Sequence, residues 1–446
     1  MSDSDDSSFT GRLSRTVRTS TAMAGLGARL AGKRFLGIEF DQEEHARALR
    51  QALGNLKGPL MKVAQFLATV PEAIPDEYVA ELSQLQSNAP PMGWLFVKRR
   101  MASELGPDWK QRFASFEQTA AAAASLGQVH RATALDGRAL ACKLQYPDMA
   151  SAVESDLNQL KIVLGIFERY DKAVSTGGIH AELAERLREE LDYEREANNM
   201  RLYRAILADE PTIRIPEPVA ELSTRRLLTM NWLDGEKVLD FVAAHPELRD
   251  TVARNLFRAW YVPFYRYGVI HGDPHLGNYQ ARGNGDVDLL DFGMIRVFPP
   301  RFVQAVIDLQ RAIETNDDAL AADAYRAWGF GEVKGELLAT LNVWARFLYE
   351  PLLDDRVRKI GVAEGAVYGR ETAMTVHKKL RELGGIKVPR EFLLMDRAAL
   401  GLGSVFIRLG AELNWHKLYH ELIDGFDAAA LEQRQRTLLA QHDVPH

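Results

Sequence analysis

The chain has 446 residues, 46% apolar and 26% charged, enough to bury a large core and to fill roughly two to three domains. Wholesale disorder and collagen-like or disulfide-stapled architectures are excluded by that balance. With 55 Lys and Arg against 61 Asp and Glu, the net charge is -6, which gives no global electrostatic reason to hold a phosphate backbone, so no nucleic-acid partner is expected. The single cysteine, Cys142, excludes an intrachain disulfide and a cysteine-type zinc site, and fits a reducing, cytoplasmic compartment.

Ser2 to Ser8 is an acidic, serine-rich run without the basic, apolar and small-residue regions of a secretory signal, and reads as a loose tail. From Phe9 to Ile38 the chain carries six basic residues (Arg12, Arg15, Arg18, Arg29, Lys33, Arg34) and no acid, interleaved with apolar side chains. Two readings stay open for it. It can lie peripherally on the inner face of an anionic membrane, each basic group contributing about 1 kcal/mol, or pack as a basic helix on its own domain, weakened by its glycines. No stretch approaches the roughly 18 to 20 apolar residues that a membrane-spanning helix needs.

Helical patterns follow over Gln42 to Leu67 and Asp76 to Gln86, then a Pro90-Pro91 break and a helix from Met92 to Leu105. After Gly106-Pro107 the period changes toward two. Arg112 to Glu117, Gln128 to Ala134 and, past a turn at Asp136-Gly137, Arg138 to Gln145 predict a small antiparallel sheet. Helices are expected from Met149 to Tyr170 and from Ile179 to Leu207, and two further strands, Ile213 to Ala220 and Arg225 to Met230, to close the sheet. From Val238 onward the pattern is helical except around His271 to Phe292. The expected organisation is a tail with a basic segment over residues 1–40, a helical extension over 41–110, a sheet-containing lobe over 111–230 and a helical lobe over 231–446.

Chemistry concentrates in His271-Gly-Asp273-Pro-His-Leu-Gly-Asn278, followed thirteen residues later by Asp291-Phe292-Gly293 after the strand-like Val287-Asp-Leu-Leu. In a phosphotransferase the first Asp accepts or orients a hydroxyl proton. The Asn five residues on and the Asp of the Asp-Phe-Gly turn then hold magnesium against nucleotide phosphates. Both supply the oxygen ligands that a hard cation takes. Upstream, Ala121 to Ala124 run into Ser125-Leu126-Gly127-Gln128-Val129, with Lys143 fourteen residues past Val129 in a strand. With Val129 registered on the last position of a kinase glycine-rich loop, Gly127 falls on the third glycine and Ala122 and Ala124 on the first two. Alanine lacks glycine's access to positive φ, so such a loop approaches phosphates less closely. Lys143 is the expected phosphate-contacting ammonium. Its carboxylate would come from Glu190, Asp192 or Glu196. On one continuous helix Asp192 and Glu196 share a face, with Glu190 about 160° from Asp192.

These segments, Ala-Ala-Ala-Ser-Leu-Gly-Gln-Val-His, Cys-Lys-Leu-Gln-Tyr-Pro, Glu-Leu-Asp-Tyr-Glu-Arg-Glu-Ala, His-Gly-Asp-Pro-His-Leu-Gly-Asn and Asp-Phe-Gly, in this order, closely resemble the UbiB/aarF atypical kinase-like family linked to coenzyme Q biosynthesis. The likeness runs from Leu49 to Gly293 and more loosely through Tyr349 to Asp355. It implies an α+β, kinase-like two-lobe fold and an alanine-rich nucleotide loop formed by Ala122, Ala123, Ala124, Ser125, Gly127 and Val129. Lys143 would be paired with Glu196, Asp273 would be the catalytic carboxylate, and Asn278 and Asp291 the magnesium ligands. The adenine hinge falls near Met230-Asn231-Trp232-Leu233. The family's Lys-x-Gly-Gln helix, which covers the site, falls on Lys62-Val63-Ala64-Gln65, with Lys62 and Gln65 facing Glu190 and Asp192. Ala64 stands where the family has glycine. The cofactors implied are ATP or ADP and Mg2+, and the activity is ATP hydrolysis supporting isoprenoid-quinone lipid biosynthesis, with an isoprenoid lipid or quinone precursor as further partner. True phosphoryl transfer to a protein or small molecule, and a nucleotide-gated scaffold, are the alternatives. No Ala-Pro-Glu follows Asp291, so a peptide-docking activation segment is not expected.

His416 and His420 stand four apart on an expected helix and can present two imidazoles to zinc. With no Glu after His416 and no third ligand evident in the sequence, they read as ordinary core or surface histidines. No Gly-x-Ser-x-Gly elbow supports acyl transfer.

Overall fold

A computed structural model describes residues 92–360 and 375–445, apart from 125, 156, 159, 160, 162–175, 377, 381 and 384–388. The basic segment, the helices expected over 42–67 and 76–86, Lys62, Gln65 and Ser125 lie outside the described residues. The chain divides into two compact units, one ending at Tyr193 and taking back Ala220–Thr229, the other formed by Glu194–Val219 and by Met230 onward.

Among the described residues the first helix is α1 (Trp94–Leu105), which buries Val97, Met101 and Leu105 at i, i+4 and i+8 and ends where Gly106 turns at φ 91°. The strands β1 (Phe113–Phe116), β2 (Ala122–Ala124), β3 (Gly127–Ala134), β4 (Ala139–Gln145) and β6 (Leu227–Asn231) form a five-stranded sheet in the order β1-β3-β4-β6, with β2 also on β3. Asp136-Gly137 makes the β3–β4 turn, Gly137 taking φ 88°, and the register sets Val129 opposite Lys143. Trp109 packs edge-on to Phe116 at 5.1 Å and to Trp94 at 6.3 Å, gluing α1 to β1.

Two expectations are corrected here. The helix expected from Ile179 to Leu207 is two helices, α2 (Thr176–Glu189) and α3 (Tyr193–Ile206). Between them Leu191 turns back on Arg188 O at 3.2 Å and Asp192 on Glu189 O at 3.0 Å, while the sheet captures the backbone. The Gln145 side chain donates to Leu191 O at 2.7 Å, and the Tyr193 amide donates to Arg225 O at 3.1 Å. Glu190 and Asp192 therefore sit in a turn, and the helical-wheel relation drawn among Glu190, Asp192 and Glu196 does not hold. Secondly, Ile213 to Ala220 adds no strand to the small sheet and pairs with it only at the single bridge between Pro218 and Met230. Only β5 (Ile213–Arg214) is a strand there, and it pairs parallel to β10 (Asp286–Leu289) in the second unit. The fifth strand of the small sheet is the alanine segment β2, which pairs Ala122 with Val129.

In the second unit, β5, β10, β9 (Tyr279–Arg282) and β7 (Glu236–Lys237) form a four-stranded sheet, and β8 (Val269–His271) pairs with β11 (Ile295–Val297). After the short α4 (Val238–Ala244), α5 (Arg249–Tyr267) carries an almost continuously buried run from Val252 to Tyr265. α5 ends at Gly268, φ 65°, where an added Cβ would come within 2.5 Å of the Gln435 amide nitrogen and 2.6 Å of Phe298 O. Beyond lie α6 (Pro300–Thr315), α7 (Asp318–Trp328), α8 (Gly335–Tyr349), α9 (Arg390–Leu409), α10 (Trp415–Ile423) and α11 (Ala428–Gln441). Against the all-helical expectation for this stretch, β12 (Arg358–Lys359) pairs with β13 (Glu412–Leu413).

Candidate active site

The thirteen-residue spacing of Asn278 and Asp291 is a hairpin register. β9 and β10 pair antiparallel with Tyr279 opposite Leu289, and the Leu290 amide donates to Asn278 O at 3.0 Å, so Asn278 and Asp291 emerge at the same end of the hairpin. The flanking strands close the loop. His271 pairs with Ile295, and the Gly272 amide donates to Met294 O at 2.5 Å. Gly272 is needed for that approach, since a Cβ there would stand 2.8 Å from the same oxygen.

Within this frame the Asn278 amide donates from Nδ2 to the Asp273 carboxylate and to its backbone carbonyl, both at 3.2 Å, leaving Oδ1 as the amide's remaining polar atom. Asp291 Oδ1 accepts from the Gly293 amide at 3.0 Å, which folds the Asp-Phe-Gly turn. His271 is buried and bridges the two motifs. Its Nδ1 accepts the Asp273 amide at 3.2 Å and its Nε2 donates to Asp291 O at 2.5 Å, which specifies the neutral Nε2–H tautomer. Phe292 is buried against Tyr203 at 5.4 Å, and its carbonyl accepts from Asn199 Nδ2 at 2.9 Å. Asn199 lies three residues past Glu196 on α3, and Glu196 is itself buried. Within the hairpin, on β10, the fully buried Asp288 takes a bidentate pair of bonds from Arg214 at 2.8 and 2.9 Å, with Arg282 at 3.5 Å. His271 and Asn199 are positioning residues that the sequence reading missed. The Asp291 partner of His271 and the Phe292 partner of Asn199 lie 20 and 93 residues away, beyond any local signal.

In the first unit Lys143 is buried in β4, its ammonium 5.3 Å from the centroid of the Tyr193 ring. Cys142 alternates to the other side of the strand, and burial pushes its thiol up to about 12, so it is inert. Gly127 is required by packing, because a Cβ there would lie 2.1 Å from Leu144 O. Gln128 and His130, both buried and not singled out from sequence, link the segment to α1's approach. The Gln128 side chain accepts the Met92 amide at 2.5 Å and donates to His130 Nε2 at 2.7 Å, while His130 Nδ1 donates to Glu117 O at 2.8 Å. Asp192 faces Arg225 at 3.5 Å. Met230, in the second unit, is buried and forms a bridge with Pro218, and the Asn231 amide donates to Glu217 O at 3.0 Å. This anchors the segment that carries Trp232.

A lysine buried in a strand, an Asp–Asn pair on a loop and an Asp-Phe-Gly turn at the mouth of a hairpin define a kinase-like protein. Residues 84–324 match the model of the ABC1 atypical kinase-like domain, over half of the chain, and the chain belongs to that family. It is 28% identical to the mitochondrial atypical kinase COQ8 of Saccharomyces cerevisiae over 66% of its own length and 61% of the relative's. To AarF domain-containing protein kinase 1 of Xenopus laevis it is 30% identical, over 76% and 66% of the two chains. It is similar to the Mycobacterium tuberculosis protein Rv3197, solved in complex with erythromycin, at 29% identity and a TM-score of 0.61, covering 86% of this chain and 97% of that one. The chain spans under two thirds of the length of the first curated relatives, 61% in yeast and 42% in Caenorhabditis elegans.

Proposed function

We propose that this protein is a Mg-ATP-dependent atypical kinase-like ATPase whose turnover supports isoprenoid-quinone lipid biosynthesis. The observation that carries the reading is the closed β8-to-β11 segment, in which Asn278 is hydrogen-bonded to Asp273 and His271 ties both to Asp291. Membership of the ABC1 family supports it, as do relatives named mitochondrial atypical kinases.

Carried over from the family residue by residue, Lys143 and Glu196 would serve the phosphates, the backbone of Ala122 to Val129 would serve as the nucleotide loop, and Met230 and Trp232 would serve the adenine. The donor set of Asn278 Oδ1 and the Asp291 carboxylate is all oxygen, as a hard cation requires. Bound there, magnesium would neutralise charge building on the phosphate oxygens. Asp273, held through its amide by His271 and through one carboxylate oxygen by Asn278, would turn its other oxygen to an attacking water. It would take the proton as the new oxygen–phosphorus bond forms and ADP leaves.

Phosphoryl transfer to a protein or small molecule is the second reading. The Asp273–Asn278 pair serves a hydroxyl as well as a water, but Ala122–Ala124 is a paired strand where a kinase has a glycine loop. Asp291→Asn is expected to weaken Mg-dependent nucleotide binding at least tenfold. Asp273→Asn should keep binding and lower turnover by about 10²- to 10⁴-fold. Calorimetric titration and single-turnover hydrolysis with labelled γ-phosphate measure both. Tight Mg-dependent binding by Asp291→Asn would refute the metal role, and label appearing on an acceptor would select the second reading.

A further inference from the structure

We propose that Glu314, His416 and His420 form a divalent transition-metal site, taking Zn2+, that fastens α6 to α10. The site is independent of the nucleotide chemistry above. The sequence offered two imidazoles one turn apart and no third donor, and the fold supplies the third from a residue about a hundred positions earlier. One donor atom from each of the three residues lies within 4.8 Å of the others. The two rings sit side by side, centroids 4.2 Å apart.

The surroundings have the arrangement of a metal site rather than of a chance cluster. Each imidazole has its Nδ1 occupied, His416 donating to Leu352 O at 2.8 Å and His420 to Asp424 Oδ1 at 3.4 Å. A carbonyl and a carboxylate on Nδ1 fix both rings in the tautomer that leaves Nε2 with a lone pair, as outer partners of metal-bound histidines do. His420 Nε2 is buried and has no hydrogen-bond partner among the described residues. A buried lone pair without a partner is destabilising, and a metal–nitrogen bond removes that cost. The Glu314 carboxylate is held from behind by Gln310 Nε2 at 3.2 Å.

Two imidazoles and a carboxylate suit zinc, whose bonds of about 2.0–2.2 Å put tetrahedral donors about 3.3 Å apart. Glu314 is exposed and closes the remaining gap by a rotamer change. The three ligands leave a fourth position open toward solvent, for water. Because α6 follows the strand after Asp291 and α10 lies near the C-terminal end, the ion would join segments far apart in the chain and stabilise the second unit.

The test is titration of tag-free, full-length, nucleotide-free protein with Co2+ and then Zn2+, followed by visible absorption and thermal unfolding. One equivalent of Co2+ is expected to give the intense d–d bands of tetrahedral nitrogen and oxygen coordination. Zn2+ should displace it and raise the unfolding temperature. Glu314→Gln, His416→Gln and His420→Gln should each weaken binding at least about tenfold, and Asp424→Asn about tenfold through the outer contact. Weak octahedral bands in the wild type, as an all-oxygen site gives, would overturn the proposal without any variant. So would unchanged zinc affinity in the folded double variant His416→Gln/His420→Gln. Should a histidine variant fail to fold, the exposed Glu314→Gln carries the comparison.

Discussion

Gln128 and His130 hold a single arrangement of protons. The Met92 amide can only donate, so it fixes Gln128 Oε1 toward itself and Nε2 toward His130, which must accept on Nε2 and donate from Nδ1 to Glu117. Burial holds the imidazole below its ordinary value. The unfolded chain therefore binds the proton first. The stability due to neutral His130 is present above about pH 6.5 and is lost as pH falls from there through the lower folded value. Urea midpoints of the wild type should fall between about pH 7.5 and about pH 5.5 more steeply than those of His130→Asn, which keeps a donor in the Nδ1 position and cannot titrate. Parallel slopes would remove His130 from the account. At this scale Lys143 was legible because a lysine inside an apolar strand needs a reason. Gly127 was legible as a loop glycine, but its packing reason, the approach of Leu144 O, was not. His271 was read only as the first letter of a motif, since its bridging role needs the folded positions of Asp273 and Asp291.

Elements were legible where period and turn chemistry agree. The β3–β4 hairpin around Asp136-Gly137 stands within a residue of expectation, α1 begins two residues later than expected and ends where expected, and the Asn278-to-Asp291 spacing was present in the sequence as a number before β9 and β10 explained it. The α2–α3 break was not, because Glu190-Leu191-Asp192 contains no helix breaker and its backbone is drawn away by Gln145 and Arg225, both outside the helix. α9 offers a clean test of element packing. Gly401 lies against Pro274 of the Asp273 loop, where an added Cβ would stand 2.3 Å from the ring, whereas Gly403 on the same helix has nothing within 4 Å. Gly401→Ala is expected to destabilise by about 1–3 kcal/mol through overpacking and, on the proposed ATPase reading, to reduce hydrolysis by displacing the loop. Gly403→Ala should be neutral or stabilise by up to about 1 kcal/mol, the helix propensity difference. Equal effects in chemical denaturation would show that the Pro274 contact does not restrain α9.

For the whole molecule, charge is distributed unevenly. The chain is net -6, yet Phe9 to Ile38 is purely basic, and no described helix is long and apolar enough to cross a membrane. If the basic segment reads an anionic surface, sedimentation with anionic vesicles should be strong where the screening length is about 10 Å, at 0.1 M salt, and weak where it is about 3 Å, at 1 M. Neutral vesicles should not bind, and binding indifferent to salt would refute the electrostatic reading.

The sequence alone was enough to recognise the kinase-like family and to locate its motifs along the chain. Those depend on local chemistry and on spacings that a hairpin or a strand converts directly into geometry. Tertiary structure decided which sheet the two residues of β5 join, where the long helix breaks, which glycines are pressed against a neighbour, and that Glu314 meets His416 and His420. Each is a contact between segments distant in the chain, and side-chain pattern along one segment carries no information about what packs against it.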